Sequence, residues 1–361
     1  MGNALPIERI HHIELIAGNA LQAAYYYRKA FGFDQIAYLG PETGYSDRAS
    51  YVLKQNDIQF VLTTPLKHDD PRNIFLNLHG DGVKDICFET PDVDAVFNET
   101  VERGAVPVFE PMDRQDEGGK VRMAAIRTYG DVVHTFLDKK SYEGLFLPGF
   151  RKAHRTAKGV GLLRVDHIVG NAEDRQMDRW ADFYIDVFGF HQFVSYDDKD
   201  ISTEYSALRS KVVANDNRKI KFPINEPAKG RRKSQIQEYI DYNYSAGVQH
   251  VALLTEDIID TVSKLRKKGV KFLLVPSAYY ETVWDRVGDI KEDRAKIAEN
   301  QILVDSDENG YLLQIFTKPV QDRPTLFFEV IQREGCESFG KGNFKALFVS
   351  IEQEQARRGN L

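Results

Sequence analysis

The chain has 361 residues, enough for two domains or one duplicated unit, and 42% of them are hydrophobic, enough for ordinary globular cores. Its 48 basic and 54 acidic residues leave a net charge of −6, which argues against a nucleic-acid or anionic-membrane partner. Two cysteines make no disulfide framework, the first residues lack a signal-peptide core, and no apolar run reaches transmembrane length, so a cytoplasmic protein is expected.

Read in chain order, the sequence repeats itself. His12-Ile13 is followed by a helical segment ending Ala30-Phe31-Gly32-Phe33, and His167-Ile168 by one ending Val187-Phe188-Gly189-Phe190. In the second segment Trp180, Phe183, Tyr184, Val187 and Phe188 fall on one helix face. Both glycines stand where a helix C-terminus favours glycine. Val83–Phe88 then matches Val248–Leu253 as a strand, each followed by a helix ending in glycine, at Gly104 and Gly269. The third pair is Gly130–Phe136 against Gly310–Phe316, which aligns His134 with Gln314. It leaves Tyr142–Phe150, offering only Glu143, opposite the segment around Glu329. The second copy is longer, and its extra chain falls within 195–247 and 276–301, where insertions would build function. The copies divide near 149–161, giving modules 1–152 and 153–361. The fold class is α+β, with curled, barrel-like antiparallel sheets, flanking helices and a C-terminal helix.

Three inward side chains in the second copy bear chemistry. His167 shares a strand face with Leu163, Val165 and Val169, and His250 shares one with Val248, Ala252 and Leu254. Glu329 lies mid-strand between Phe327 and Ile331, and both faces of that strand are apolar. A buried carboxylate needs a cation or hydrogen-bond donors. Two inward histidines and one carboxylate on three strands match the facial triad of non-haem iron(II), although the residue types also admit Mn, Co or Zn. The first copy keeps His12 but carries Asp85 in place of His250, so module 1–152 is expected to be structural, without a complete metal site. At the other end, Phe344, Leu347, Phe348 and Ile351 form one helical stripe after Gly340 and Gly342. That helix is a candidate lid.

At these residues the sequence resembles the 4-hydroxyphenylpyruvate dioxygenases of the vicinal-oxygen-chelate (glyoxalase/bleomycin-resistance-like) superfamily. The resemblance spans nearly the whole chain. It is carried by Pro223-Ile-Asn225-Glu-Pro227, Arg232-Lys-Ser-Gln235-Ile, Gly247-Val-Gln249-His250, Leu312-Leu-Gln314-Ile-Phe316, Glu329-Val-Ile-Gln-Arg333 and Phe339-Gly-Lys-Gly-Asn-Phe344. The resemblance implies two tandem modules, with one Fe(II) per chain on His167, His250 and Glu329. With O2 as co-substrate, 4-hydroxyphenylpyruvate would be decarboxylated, hydroxylated and rearranged to homogentisate, a step of tyrosine catabolism. It also implies a substrate pocket of Ser210, Pro223, Asn225, Gln235, Gln249, Gln314, Phe316, Phe327, Phe339, Asn343 and Phe344. Of these, Asn225, Gln235, Gln314 and Phe344 would act in catalysis. Strand parity agrees for Gln314 with Phe316 and for Phe327 with Glu329, but it turns Gln249 away from its neighbour His250. A homo-oligomer, dimer or tetramer, is expected. Other readings are a 4-hydroxymandelate synthase, an extradiol catechol dioxygenase, and a non-catalytic metal- or ligand-binding module.

Overall fold

The computed structural model describes residues 4–197 and 207–359; the stretch 198–206, within the first expected insertion, lies outside the described residues. The N-terminal module runs β1 (Arg9–Ile16), α1 (Ala20–Ala30), β2 (Asp34–Leu39), β3 (Arg48–Gln55), β4 (Ile58–Pro65), α2 (Arg72–His79), β5 (Gly82–Glu89), α3 (Val93–Glu102), β6 (Pro107–Asp116), β7 (Gly119–Arg127) and β8 (Val133–Asp138). A short strand, β9 (Arg151–Arg155), spans the expected boundary and pairs with β2. The second module follows as β10 (Leu162–Asn171), α4 (Met177–Phe188), β11 (His191–Tyr196), β12 (Ala207–Ala214), β13 (Lys221–Ala228), α5 (Gln235–Asn243) and β14 (Gly247–Thr255). It continues with α6 (Ile258–Lys267), α7 (Tyr279–Val287), α8 (Arg294–Glu299), β15 (Leu303–Asp307), β16 (Gly310–Phe316), β17 (Phe327–Glu334) and α9 (Phe344–Arg357).

Each module is one curled sheet, ordered β6-β7-β8-β5-β1-β4-β3-β2-β9 and β11-β12-β13-β10-β14-β17-β16-β15. The tandem α+β organisation is as expected. Both sheets are mixed, because each is assembled from two strand–helix–three-strand units. The first strand of every unit pairs in parallel with its last: β1 with β4, β5 with β8, β10 with β13, and β14 with β17. The two first strands of each module pair antiparallel at its centre.

Local sequence explains the elements. Asn19 caps α1 by accepting from the Gln22 amide at 3.1 Å, and Asp257 caps α6 through the Asp260 amide at 2.9 Å. Gly189 ends α4 at φ 71°, a conformation that favours glycine. The apolar stripe of α4 is buried through Tyr184, Val187 and Phe188. The expected insertion 276–301 folds as α7 and α8. Among the described residues no helix is long and apolar enough to cross a membrane.

The third repeat pair needs correction. β8 lies beside β5 as β17 lies beside β14, so β8 corresponds to β17 and β7 to β16. Gly119, not Gly130, opens the counterpart of the strand at Gly310. The register Asp85↔Val133 and Phe88↔Phe136 sets Thr135 where Ala252↔Glu329 sets Glu329. Neighbouring meander strands share one alternating pattern, and α7 with α8 lengthens only the second copy, so sequence matching slipped by one strand.

Candidate metal centre and its cavity

The three chemical side chains lie on adjacent central strands. His167 on β10 pairs with Ala252 on β14, which in turn pairs with Glu329 on β17. Ala252 presents only a methyl group between them, so the longer side chains meet across it. His250 lies two residues earlier on the middle strand, on the same face. The His167 and His250 Nε2 atoms stand 3.1 and 3.3 Å from Glu329 Oε2. All three donor groups lie within 4.8 Å of one another and are buried.

Two β-bulges orient the imidazoles. The β10–β14 register slips between Val165 and His167, where Asp166 is the extra residue, and between Val169 and Gly170, where Gln249 is. Consecutive side chains therefore reach one another: Asp166 Oδ2 accepts from His167 Nδ1 at 2.8 Å, and Gln249 Oε1 from His250 Nδ1 at 2.9 Å. Both Nε2 atoms keep their lone pairs for the centre. This corrects the parity expectation for Gln249, since regular alternation stops at a bulge. Arg333 grips Asp166 through Nε at 3.0 Å and through its terminal nitrogen at 2.8 Å, while also donating to the Ser338 carbonyl at 2.6 Å.

The electrostatics favour a cation. Burial pushes the Glu329 carboxyl up, but His167 and His250 outweigh it and hold it at about 2. Burial lowers His167, yet Glu329 and Asp166 leave it above its ordinary value. Burial keeps His250 below its ordinary value despite Glu329. Glu329 Oε1 is buried without any hydrogen-bond partner. An unpartnered buried carboxylate oxygen marks a missing ligand. Metal bonds of about 2.1 Å put neighbouring donor atoms about 3 Å apart, which matches the distances here. The residues therefore fit a bound metal ion.

A cavity opens above this centre. Phe327 stacks on His250 with ring centroids 4.8 Å apart, and Phe316 meets the same ring edge-on at 5.7 Å. Phe339 packs edge-on against His167 at 5.1 Å. Ser210 and Asn225, cross-strand partners on β12 and β13, line the far wall with Pro223. Gln235 and Gln249 complete that wall, and Gln314 lies under Gly340. Gly340 has φ 75°, and a side chain there would collide with the Gln314 amide. From α9, Phe344, Leu347, Phe348 and Ile351 face the cavity.

Asn343 is the one expected pocket residue that does not line it. Its Oδ1 instead accepts from the Tyr279 hydroxyl at 2.6 Å, in the joint between α7 and α9. Sequence reading missed Tyr196, Leu208 and Val212 in the wall. The last two share a strand face with Ser210, so extending that parity would have found them. Arg333 follows Glu329 by four residues on β17 and shares its face. A separate group in the N-terminal module brings His11, His12 and Cys87 together.

The model of the Glyoxalase/Bleomycin resistance protein/Dioxygenase superfamily matches residues 9–139 and 164–315. A 4-hydroxyphenylpyruvate dioxygenase of Caenorhabditis elegans is 50% identical, over 97% of this chain and 92% of its own length. That of Dictyostelium discoideum is 48% identical, over 98% of this chain and 100% of its own. The chain belongs to the 4-hydroxyphenylpyruvate dioxygenase family. Among solved structures, a triple mutant of 4-hydroxymandelate synthase from Streptomyces coelicolor superposes with a TM-score of 0.88 at 32% identity, covering 97% of this chain and 100% of that one. Family membership and the buried His167–His250–Glu329 group agree on a metal-dependent dioxygenase.

Proposed function

We propose that this chain converts 4-hydroxyphenylpyruvate and O2 to homogentisate and CO2. The observation that carries the reading is the buried His167–His250–Glu329 group, with its unpartnered Glu329 oxygen, under an apolar cavity in a member of this family. A ferrous ion held by these three residues would supply the O2 and redox chemistry that the side chains lack. Two neutral imidazoles and one carboxylate leave a divalent ion at net +1, and a monoanionic 2-keto acid brings the site to neutrality.

The cavity residues divide the remaining work. Phe316 and Phe327 give the phenyl ring an apolar wall. Ser210, Asn225, Gln235 and Gln249 hydrogen-bond the polar end of the substrate, and Gln314 faces its keto-acid end. Phe344 and the rest of the α9 stripe close over the ring and exclude water. Residues 153–361 carry this chemistry, and module 1–152 supports it.

A second reading, benzylic hydroxylation to 4-hydroxymandelate, is favoured by the 4-hydroxymandelate synthase likeness. One aerobic assay with Fe(II) and 4-hydroxyphenylpyruvate separates them. Homogentisate is expected; its isomer 4-hydroxymandelate, resolved by retention and fragmentation, would select the second reading. Absence of O2 uptake would remove both.

A further inference from the structure

We propose that His11, His12 and Cys87 form a second metal site, in the N-terminal module, that prefers monovalent copper. β1 carries two consecutive histidines, and its register against β5 slips between Ile10 and His12. The bulge brings the rings together on the buried side, with the two Nδ1 atoms 2.7 Å apart. Cys87 is the direct cross-strand partner of His12. The three donor groups lie within 4.8 Å of one another and all are buried.

The duplication shows how this site differs from the first. His12–Cys87–Thr135 is the row that corresponds to His167–Ala252–Glu329. The N-terminal copy has a thiol where the other has a methyl group, and a hydroxyl where the other has its carboxylate. Cys87 adds a soft sulfur that the other copy lacks, while the Asp85 carboxylate, which stands where the other copy has His250, is bonded by Thr135, so the two copies suit different ions.

Charge narrows the choice. Two neutral imidazoles and a thiolate neutralise Cu(I), whereas Zn(II) would leave a net positive charge in a buried site. Lys139 acts on both histidines as a like charge, and Arg9 and Lys54 add to it at His11. Asp85, Glu89 and Glu14 act on Cys87 with the opposite sign, as like charges to its thiolate, so the preference rests on the soft sulfur and the neutral Cu(I) complex rather than on the surrounding field. Met123, a polarisable thioether, belongs to the same apolar cluster as Cys87. Phe146 covers both rings, at 5.6 Å from His11 and 5.1 Å from His12. Both histidines also line a cavity of about 570 Å³ between the modules, which gives an ion a way in. On binding, Cys87 releases its thiol proton to solvent as the Cu–S bond forms. The His11–His12 hydrogen bond opens, and the donor ring moves its proton to the other nitrogen.

The test is an anaerobic titration of the full-length, Fe(II)-loaded protein with Cu(I) against bathocuproine disulfonate. One Cu(I) per chain is expected, with sulfur and nitrogen scatterers in X-ray absorption and unchanged iron content. Cys87→Ser and His11→Gln should weaken binding by more than the roughly 10–100-fold that loss of an outer-shell partner costs. His250→Ala should leave copper affinity unchanged. Copper held only by nitrogen and oxygen, or lost with His250→Ala, would overturn the proposal, as would failure of the wild type to compete with the chelator. If Cys87→Ser does not fold, the sulfur scatterer in the wild type decides. Zn(II) binding as tight as Cu(I) would overturn the stated preference.

Discussion

Ala252 and Gln249 shape the metal centre without donating to it. The small Ala252 lets His167 and Glu329 meet across the middle strand, and Gln249 fixes the His250 ring. Glu329→Gln keeps the volume but removes the charge that balances a divalent ion, and His250→Ala removes a donor. Both variants should keep their circular dichroism spectrum while losing most bound iron and O2 uptake; metal analysis and turnover at wild-type level would remove the triad assignment. Gln249→Ala leaves every ligand in place and frees the His250 ring to rotate. Iron affinity should fall about 10–100-fold, the usual cost of losing an outer-shell partner. Gln249→Glu, which keeps an acceptor, should recover most of it. Equal iron affinity in the two variants would show that the Gln249 bond does not orient the ligand.

At the scale of elements, what the sequence shows is the periodic part. The two histidine strands, the helix stripes with their glycine stops and the C-terminal stripe follow from alternation and 3.6-residue spacing. Strand parity turns Gln249 away from the centre because it assumes regular alternation, which a bulge breaks without leaving a composition signal of its own. The slip from β17 to β16 arose because neighbouring strands of a meander look alike. The family resemblance implies a pocket place for Asn343, whereas its carboxamide bonds Tyr279 in a joint that only the packing of α7 reveals. There Arg286 of α7 bonds Asp305, donates to the Val304 carbonyl at 3.0 Å and reaches Asn343 Oδ1 at 3.3 Å. Asp305 in turn accepts from the Gly342 amide at 2.8 Å. The inserted helix thus ties down the start of α9. Arg286→Ala removes the cation beside the buried Asp305 carboxylate and should cost about 1–3 kcal/mol. If α9 closes the cavity, water should then enter and, with ascorbate supplied to reduce the second oxygen atom to water, 4-hydroxyphenylacetate should accumulate; a fully coupled variant would mean that α7 does not hold α9 over the cavity. Phe344, the first residue of α9, meets Tyr196 edge-on at 5.1 Å. If Phe344 holds the substrate's phenyl ring, Phe344→Ile should let that ring tilt. A small displacement of the reacting carbon changes rates strongly, so part of the product should shift to 4-hydroxymandelate. Homogentisate alone, at an unchanged rate, would show that Phe344 does not set the ring's orientation.

Across the whole molecule, the two modules share one core, and His134 of β8 lies at their junction. Its ring stacks on Phe88 at 4.6 Å and on Phe222 of the second module at 6.0 Å, with Phe188 edge-on at 5.7 Å. Nδ1 donates to the Ile86 carbonyl at 3.1 Å, so Nε2 accepts from the Tyr184 hydroxyl at 2.8 Å, a bond between modules. Protonation would turn that acceptor into a second donor inside an aromatic box. Burial accordingly pulls the His134 pKa down from 6.5 to about 4, with the Ile86 bond opposing it. In the unfolded chain the same imidazole takes up a proton below about 6.5. Between those values the unfolded state holds one more proton than the folded one. The contribution of His134 is therefore complete above about pH 6.5 and is lost as pH falls toward 4. Its size is about 3 kcal/mol by linkage. His134→Phe keeps an aromatic ring in the stack and removes the titration, although it also forfeits two hydrogen bonds. The variant should be less stable at pH 7.5, yet lose less on acidification. Urea unfolding at pH 7.5 and pH 4.5, with metal-free protein throughout, should show the wild type losing about 2–3 kcal/mol more than the variant over that interval. Parallel losses in the two proteins would mean that the junction is insensitive to this proton and that acid weakens the molecule elsewhere.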